Sequence, residues 1–242
     1  DGDGDGDGDG DERVELTDVF LRDVVVNLML AGRDTTAATL TMLFYELARN
    51  ARVERALLDE LDAVVGRGAA NVDAAVRDHT LLKTRLPYLS AVIAETLRLW
   101  PPVPFNIKNA VHEDRLPNGA YVPPGAQVAY TSYAMGRDPN VYGADVLAFR
   151  PERFVDAAAA AGGAAALPKE RNVPFQLGLR RCLGEHMALL EVKSVVVQVL
   201  GHGYRLRMSA DARVKLRAGI TLALDAPGLP VTVERRAQHE EQ

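Results

Sequence analysis

The longest uninterrupted pattern in the chain runs from residue 18 to residue 49, where apolar side chains recur at helical spacing with no proline among them, and it predicts one long helix. The same period predicts helices over 51–66, 72–79 and 87–100. The last is stopped by Pro101-Pro102, because a residue before proline is pushed out of the helical region. Between 103 and 132 the period changes: apolar and polar positions alternate, broken by Pro117-Asn118-Gly119 and Pro123-Pro124-Gly125, so short strands and hairpins are expected. Ala157 to Pro168 has neither period and reads as a flexible insertion. Helix is expected again from about Gly184 to Leu200, and short strands from Tyr204 to Arg236. No internal repeat is visible, so the pattern describes a fold that is mainly α with small β-sheets.

Composition narrows the partners. Hydrophobic residues make up 48% and charged residues 25%, close to ordinary globular averages, so a sizeable core can form. Residues 1–12 hold seven acids (Asp1, Asp3, Asp5, Asp7, Asp9, Asp11, Glu12) and no base, which turns the net −5 of the whole chain into +2 over residues 13–242. A nearly neutral body argues against nucleic acid as a partner. Within the acidic tract, Asp1, Asp3, Asp5, Gly6 and Glu12 fall at EF-hand ligand spacing, but no helix precedes them, and low complexity makes the agreement cheap. The tract reads as a solvated flexible linker, with calcium binding the alternative. The domain plan is therefore a flexible acidic segment at 1–12, a folded body at 13–236 and a polar tail at 237–242. With one cysteine there can be no internal disulfide. No run reaches the 18 or more apolar residues of a membrane span.

That cysteine, Cys182, stands at the mouth of an apolar helix. A thiolate ligand needs a lowered pKa, donors near its sulfur and room beside it. The helix N-terminus, together with Arg180 and Arg181, supplies positive potential. Gly178 can take positive φ and curl the preceding loop, and Gly184 removes a side chain just past the sulfur. The plainer reading is core filling, common for a lone cysteine. His186 shares the face of Cys182 four residues on, yet no second ligand pair accompanies them to make a metal site.

Two other segments stand out. Ala31-Gly32-Arg33-Asp34-Thr35-Thr36 interrupts the long helix with a glycine costing about 1 kcal/mol and with residues that compete for backbone hydrogen bonds. One reading is a helix break, with Asp34 or Thr35 capping a second helix; the other is a helix bent beside a ligand, offering a carboxylate and a hydroxyl to relay protons. Glu95 and Arg98, three apart on a helix, would as a surface pair contribute only about 0.2–0.5 kcal/mol.

The spacing Phe175, Gly178, Arg180, Cys182, Gly184 resembles the cysteine-loop signature of the cytochrome P-450 family, the haem-thiolate monooxygenases. The 31–36 hexad is similar to that family's oxygen-activation motif, Glu95-x-x-Arg98 to its E-x-x-R pair, and Pro151-Glu152-Arg153-Phe154 to its P-E-R-F element. All four occur in family order. The resemblance implies the C-terminal half of the P-450 fold, with Cys182 as axial ligand of a haem b iron and Arg180, Phe175, Gly178 and Gly184 around the haem. It implies Asp34 and Thr35 as the groups that deliver protons during oxygen activation, Thr36 as structural, and Glu95, Arg98 and Arg153 as a buried network without chemistry. Ala31, Val103, Pro104, Ile220 and Thr221 match regions that line the substrate pocket.

Long stretches resemble most the fatty-acid ω-hydroxylase branch, although Leu179 stands where many relatives of that branch carry proline, and Gln176 and Leu177 replace small residues. The implied reaction is insertion of one atom of O2 into a C–H bond of a lipophilic substrate such as a fatty acid. No nicotinamide or flavin motif is present, so electrons would come from NADPH through a separate reductase. A haem-thiolate isomerase or dehydratase, and a non-catalytic haem-binding fragment, are the alternatives. Because the first family motif falls near the middle of a complete member, the chain reads as a C-terminal fragment. Membrane attachment, at the cytosolic face of the endoplasmic reticulum, would then come only through a segment upstream.

Overall fold

The computed structural model describes residues 16–160, 173–209, 212–225 and 228–236. Five helices come first: α1 (Asp18–Arg49), α2 (Ala51–Val64), α3 (Ala69–Arg77), α4 (His79–Thr84) and α5 (Pro87–Leu99). Four short strands follow, β1 (Asn106–Asn109), β2 (Asp114–Arg115), β3 (Tyr121–Val122) and β4 (Gln127–Tyr130). After three short helices, α6 (Ser132–Met135), α7 (Pro139–Tyr142) and α8 (Glu152–Ala160), the chain reaches α9 (Glu185–Gly201) and the strands β5 (Tyr204–Met208), β6 (Leu216–Ala218), β7 (Leu222–Leu224) and β8 (Val231–Arg235). The strands pair in antiparallel twos, β1 with β4, β2 with β3, β5 with β8 and β6 with β7.

Helix α5 is the central post. Pro87 occupies its first turn, where the missing N–H costs nothing, and the Glu60 carboxylate from α2 accepts from the free N–H groups of Tyr88 (2.6 Å) and Leu89 (2.8 Å). All its residues from Ala91 to Leu99 are buried. Around it pack the second half of α1 (Leu43, Leu47), α2 (Val53, Leu57, Leu61), Val72, Leu82 and the inner face of α9 (Val192, Val196, Val197, Leu200). The spacing of three and four in α2 and α9 puts these side chains on one face of each helix.

Helix α1 is divided. From Thr39 onward it carries buried residues, whereas Val19, Leu21, Val25, Leu28, Met29 and Leu30 are all exposed.

One helix is expected over 18–49, and of the two readings of residues 31–36 the break is excluded: α1 runs through them, and the Thr35 hydroxyl donates to Ala31 O (2.8 Å) instead of capping a new helix. Two expectations need correcting. The expected helix at 72–79 is two helices, α3 and α4, separated at Asp78, whose carboxylate caps α4 through the N–H of Leu81 (2.9 Å). The insertion expected at 157–168 is helical at its start, since α8 continues to Ala160; the remainder lies outside the described residues.

Candidate functional site

The loop from Val173 to Gly184 holds the cysteine. Its chain reverses at two left-handed residues, Gln176 (φ 66°) and Gly178 (φ 68°), followed by a 3-10 turn over Gly178–Arg180. Glycine adopts that conformation freely and glutamine does not. The Cys182 N–H then donates to Phe175 O at 2.8 Å and closes the loop. Cys182 is a free, exposed thiol, two residues before the Gly184 cap of α9, a turn earlier than a cysteine inside the helix would stand. A Cβ on Gly184 would lie 4.0 Å from its sulfur and meet nothing else, so the missing side chain keeps that flank open. Leu179 and Leu183 are almost wholly exposed on either side. Arg180 is also exposed and makes no ion pair among the described residues, whereas Arg181 forks onto Glu185 (2.7 and 2.9 Å).

A cavity of about 320 Å³ lies behind this loop between α5 and α9; it is lined by Phe175 and Leu177 but not by Cys182. It is therefore separate from the face on which the sulfur is displayed.

In α1, Asp34 is exposed, touching Arg33 only at 4.0 Å, and Ala31 is exposed beside it. The Thr36 hydroxyl is buried with no hydrogen-bond partner, an orphan for which the structure offers no group. The residues expected to line a substrate pocket come from two segments that meet: Leu222 N–H donates to Pro102 O (2.7 Å), setting the Ile220–Thr221 turn next to Val103 and Pro104, and β7 packs on α1. Ile220 is 92% exposed, so this apolar wall faces outward.

The structure brings Glu95, Arg98 and Arg153 into one buried cluster. Arg98 donates from Nε and Nη2 to the two Glu95 oxygens, both at 2.7 Å, and the pair has no solvent exposure. The other Arg98 donors reach the carbonyls of Gly136 (2.5 Å), Val146 (2.8 Å) and Ala148 (3.2 Å). Glu95 Oε1 also accepts from the Arg153 Nε (3.0 Å) and the Arg150 N–H (2.8 Å). The surface-pair reading is thus excluded by burial. The cluster ties α5 to the segment 136–153, which precedes the cysteine loop.

Comparison with known proteins decides the family. A model described as Cytochrome P450 matches residues 5–221. The chain is 37% identical to cytochrome P450 94C1 of Arabidopsis thaliana over 91% of its own length and 43% of that protein's. It belongs to the cytochrome P450 family. Two further relatives of this cytochrome P450 chain, each 34% identical, are alkane hydroxylase MAH1 of Arabidopsis thaliana (90% of this chain, 40% of that one) and noroxomaritidine synthase 2 of Narcissus pseudonarcissus (91% and 42%). The chain spans less than half the length of these relatives.

Membership implies haem b as the cofactor. The donor set fits that group. Among the described residues no group of three or more His, Cys, Asp or Glu stands together as a metal site would need. A single displayed thiol would suit an iron that brings its other ligands with it, and the open flank at Gly184 and the apolar Leu179 and Leu183 would suit a flat macrocycle. No helix among the described residues is long and apolar enough to cross a membrane.

Sequence reasoning missed two clusters that fix the frame. Glu54, 1% exposed on α2, is held by Arg205 and Arg207 from β5. Glu46 on α1 accepts from Trp100 Nε1 (2.7 Å) and Asn50 Nδ2 (2.9 Å), while burial pushes its carboxyl above the ordinary range. The partners stand 54 to 153 residues apart in sequence except for Asn50, and no local pattern announces them.

Proposed function

We propose that the chain forms the thiolate side of a haem-dependent monooxygenase acting on an aliphatic, lipophilic substrate, a fatty acid or similar chain. The observation that carries the reading is the single thiol of Cys182, displayed on a loop closed by its own N–H to Phe175 O, with Gly184 leaving room beside the sulfur. Haem held there supplies reductive activation of O2. Cys182 would bind as the thiolate, favoured by the nearby start of α9, and Arg180 is free to pair a propionate carboxylate. Asp34 holds and releases a proton at its carboxylate, open to water on the surface of α1. Thr35, whose hydroxyl donates to Ala31 O, passes a proton on by turning that donor outward. Val103, Pro104 and Ile220 offer an apolar wall to a hydrocarbon chain, and Ala31 and Thr221 continue it. The name of the alkane hydroxylase relative supports an aliphatic substrate, although a synthase named for a different product is equally similar.

Electrons come from NADPH through a separate reductase, and the setting is the cytosolic face of the endoplasmic reticulum membrane. The exposure of Cys182, Leu179 and Leu183 favours a second reading, a haem-binding piece without turnover. The test is to reconstitute the chain with haem and record the reduced carbon monoxide spectrum beside Cys182→Ala. A strongly red-shifted Soret band lost in the variant supports thiolate ligation, and its absence in the parent chain overturns the reading for this chain. NADPH- and reductase-dependent hydroxylation of a fatty acid then separates a monooxygenase from the second reading.

A further inference from the structure

The backbone of Gln176 sits where a glycine would be at ease (φ 66°). Something must hold it there. Its carboxamide is used at both ends: Nε2 donates to Asn106 Oδ1, and Oε1 accepts from the Tyr130 hydroxyl. Asn106 and Tyr130 are the opposed first pair of the β1–β4 ladder. All three side chains are partly buried. The pair is anchored in turn, Asn106 donating to Ser132 Oγ (3.4 Å), and Thr131, next to Tyr130, donating to Pro104 O (2.9 Å).

We propose that Gln176 is a positioning residue: its carboxamide straps the cysteine loop to the β1–β4 hairpin and thereby sets the place of the Cys182 sulfur relative to the apolar segment at Val103 and Pro104. The geometry gives the strap one route to the sulfur. Gln176 adjoins Phe175, whose carbonyl accepts the Cys182 N–H at 2.8 Å. Releasing the carboxamide frees residues 175–178 to change φ and ψ, and the Cys182 hydrogen bond is the first contact to follow. The proposal rests on the thiolate reading for its consequence in the haem-loaded protein, but the strap itself can be observed without haem.

The experiment compares the parent chain with Gln176→Asn and Tyr130→Phe. Asparagine keeps the carboxamide and tolerates positive φ better than glutamine, but it is one methylene too short to span to the hairpin. Tyr130→Phe removes one donor and nothing else. Amide hydrogen exchange of the 175–184 segment is measured on each chain without haem, and the Soret band of the reduced carbon monoxide complex on each chain with it. Exchange at Cys182 about tenfold faster in Gln176→Asn and intermediate in Tyr130→Phe is expected, with a reduced share of the red-shifted band in the same order. Unchanged exchange in both variants overturns the strap. Acceleration in Gln176→Asn with Tyr130→Phe unchanged overturns its two-ended form. Faster exchange with no red-shifted band in the parent upholds the strap and removes the thiolate reading, so the two failures are distinct.

Discussion

Arg98→Met tests the buried cluster most directly. Methionine has nearly the length of the arginine stem but none of its donors, so packing is largely kept while five hydrogen bonds disappear: two to Glu95 and one each to the carbonyls of Gly136, Val146 and Ala148. Glu95 keeps Arg153 and the Arg150 N–H, which offset part of the loss. Breaking a buried pair from one side costs about 3–5 kcal/mol, because the remaining charge stays desolvated. The orphaned carbonyls place the variant in the upper part of that range. For a domain of this size the loss corresponds to a fall in Tm of about 6–20 °C. Denaturant unfolding followed by circular dichroism measures it, with an unchanged slope expected if the native packing survives. The double variant Glu95→Leu/Arg98→Met should recover part of the loss, since no carboxylate is then stranded. A single-variant loss below about 1 kcal/mol, or a double variant with fully additive losses, would refute the reasoning.

Gly136→Ala places a Cβ 2.1 Å from the Arg98 carbonyl oxygen, which is backbone and cannot swing aside, so destabilisation of about 3 kcal/mol or more is expected by thermal unfolding. Gly201→Ala meets Val72 Cγ2 at 2.8 Å, a side chain that can turn, and should cost clearly less in the same assay. Trp100→Phe removes the indole N–H from the buried Glu46 carboxylate and should cost about 1–3 kcal/mol, measured by urea unfolding at neutral pH; an unchanged midpoint would contradict the role of that bond. The Arg52 fork on Glu152 holds that carboxyl down at about 2 instead of its ordinary 4.5. Its folded pKa is the lower one, so its contribution is complete above the ordinary value and is lost as pH falls toward 2. Glu152→Gln should therefore flatten the decline in stability between about pH 5 and pH 2, and a parallel decline in both chains would rule this out.

Much of the helical frame was legible because its periods are long and its stops chemical. Residues 18–49 match α1, and Pro101-Pro102 ends α5 at Leu99. The region from 132 to 160 was not: α6 and α7 are single turns defined by Thr131 and Asp138 caps, too short for any period to register. Motif spacing singled out Glu95 and Arg98, yet as a local pair they look like any surface i,i+3 contact. What makes them a core element is the arrival of three carbonyls from 38 to 50 residues away, which the sequence does not encode locally. The strap at Gln176 was hidden for a related reason, since its positive φ is sustained by partners on a distant hairpin.

The division of α1 bears on how that helix melts. Beyond its packed end, residues 18–38 depend on helix–coil statistics, and Gly32, Thr35, Thr36 and the run Val24-Val25-Val26 are poor helix formers. The buried turns from Thr39 onward serve as a permanent nucleus from which the outer turns propagate, each by a single hydrogen bond and with little tertiary reward. Unwinding then proceeds inward from Asp18 at low cost and reaches Asp34 and Thr35 before it touches the core. A surface laid along Leu21, Val25, Leu28 and Met29 would raise the propagation constant of every outer turn together, and would fix Asp34 and Thr35 in place without contacting either.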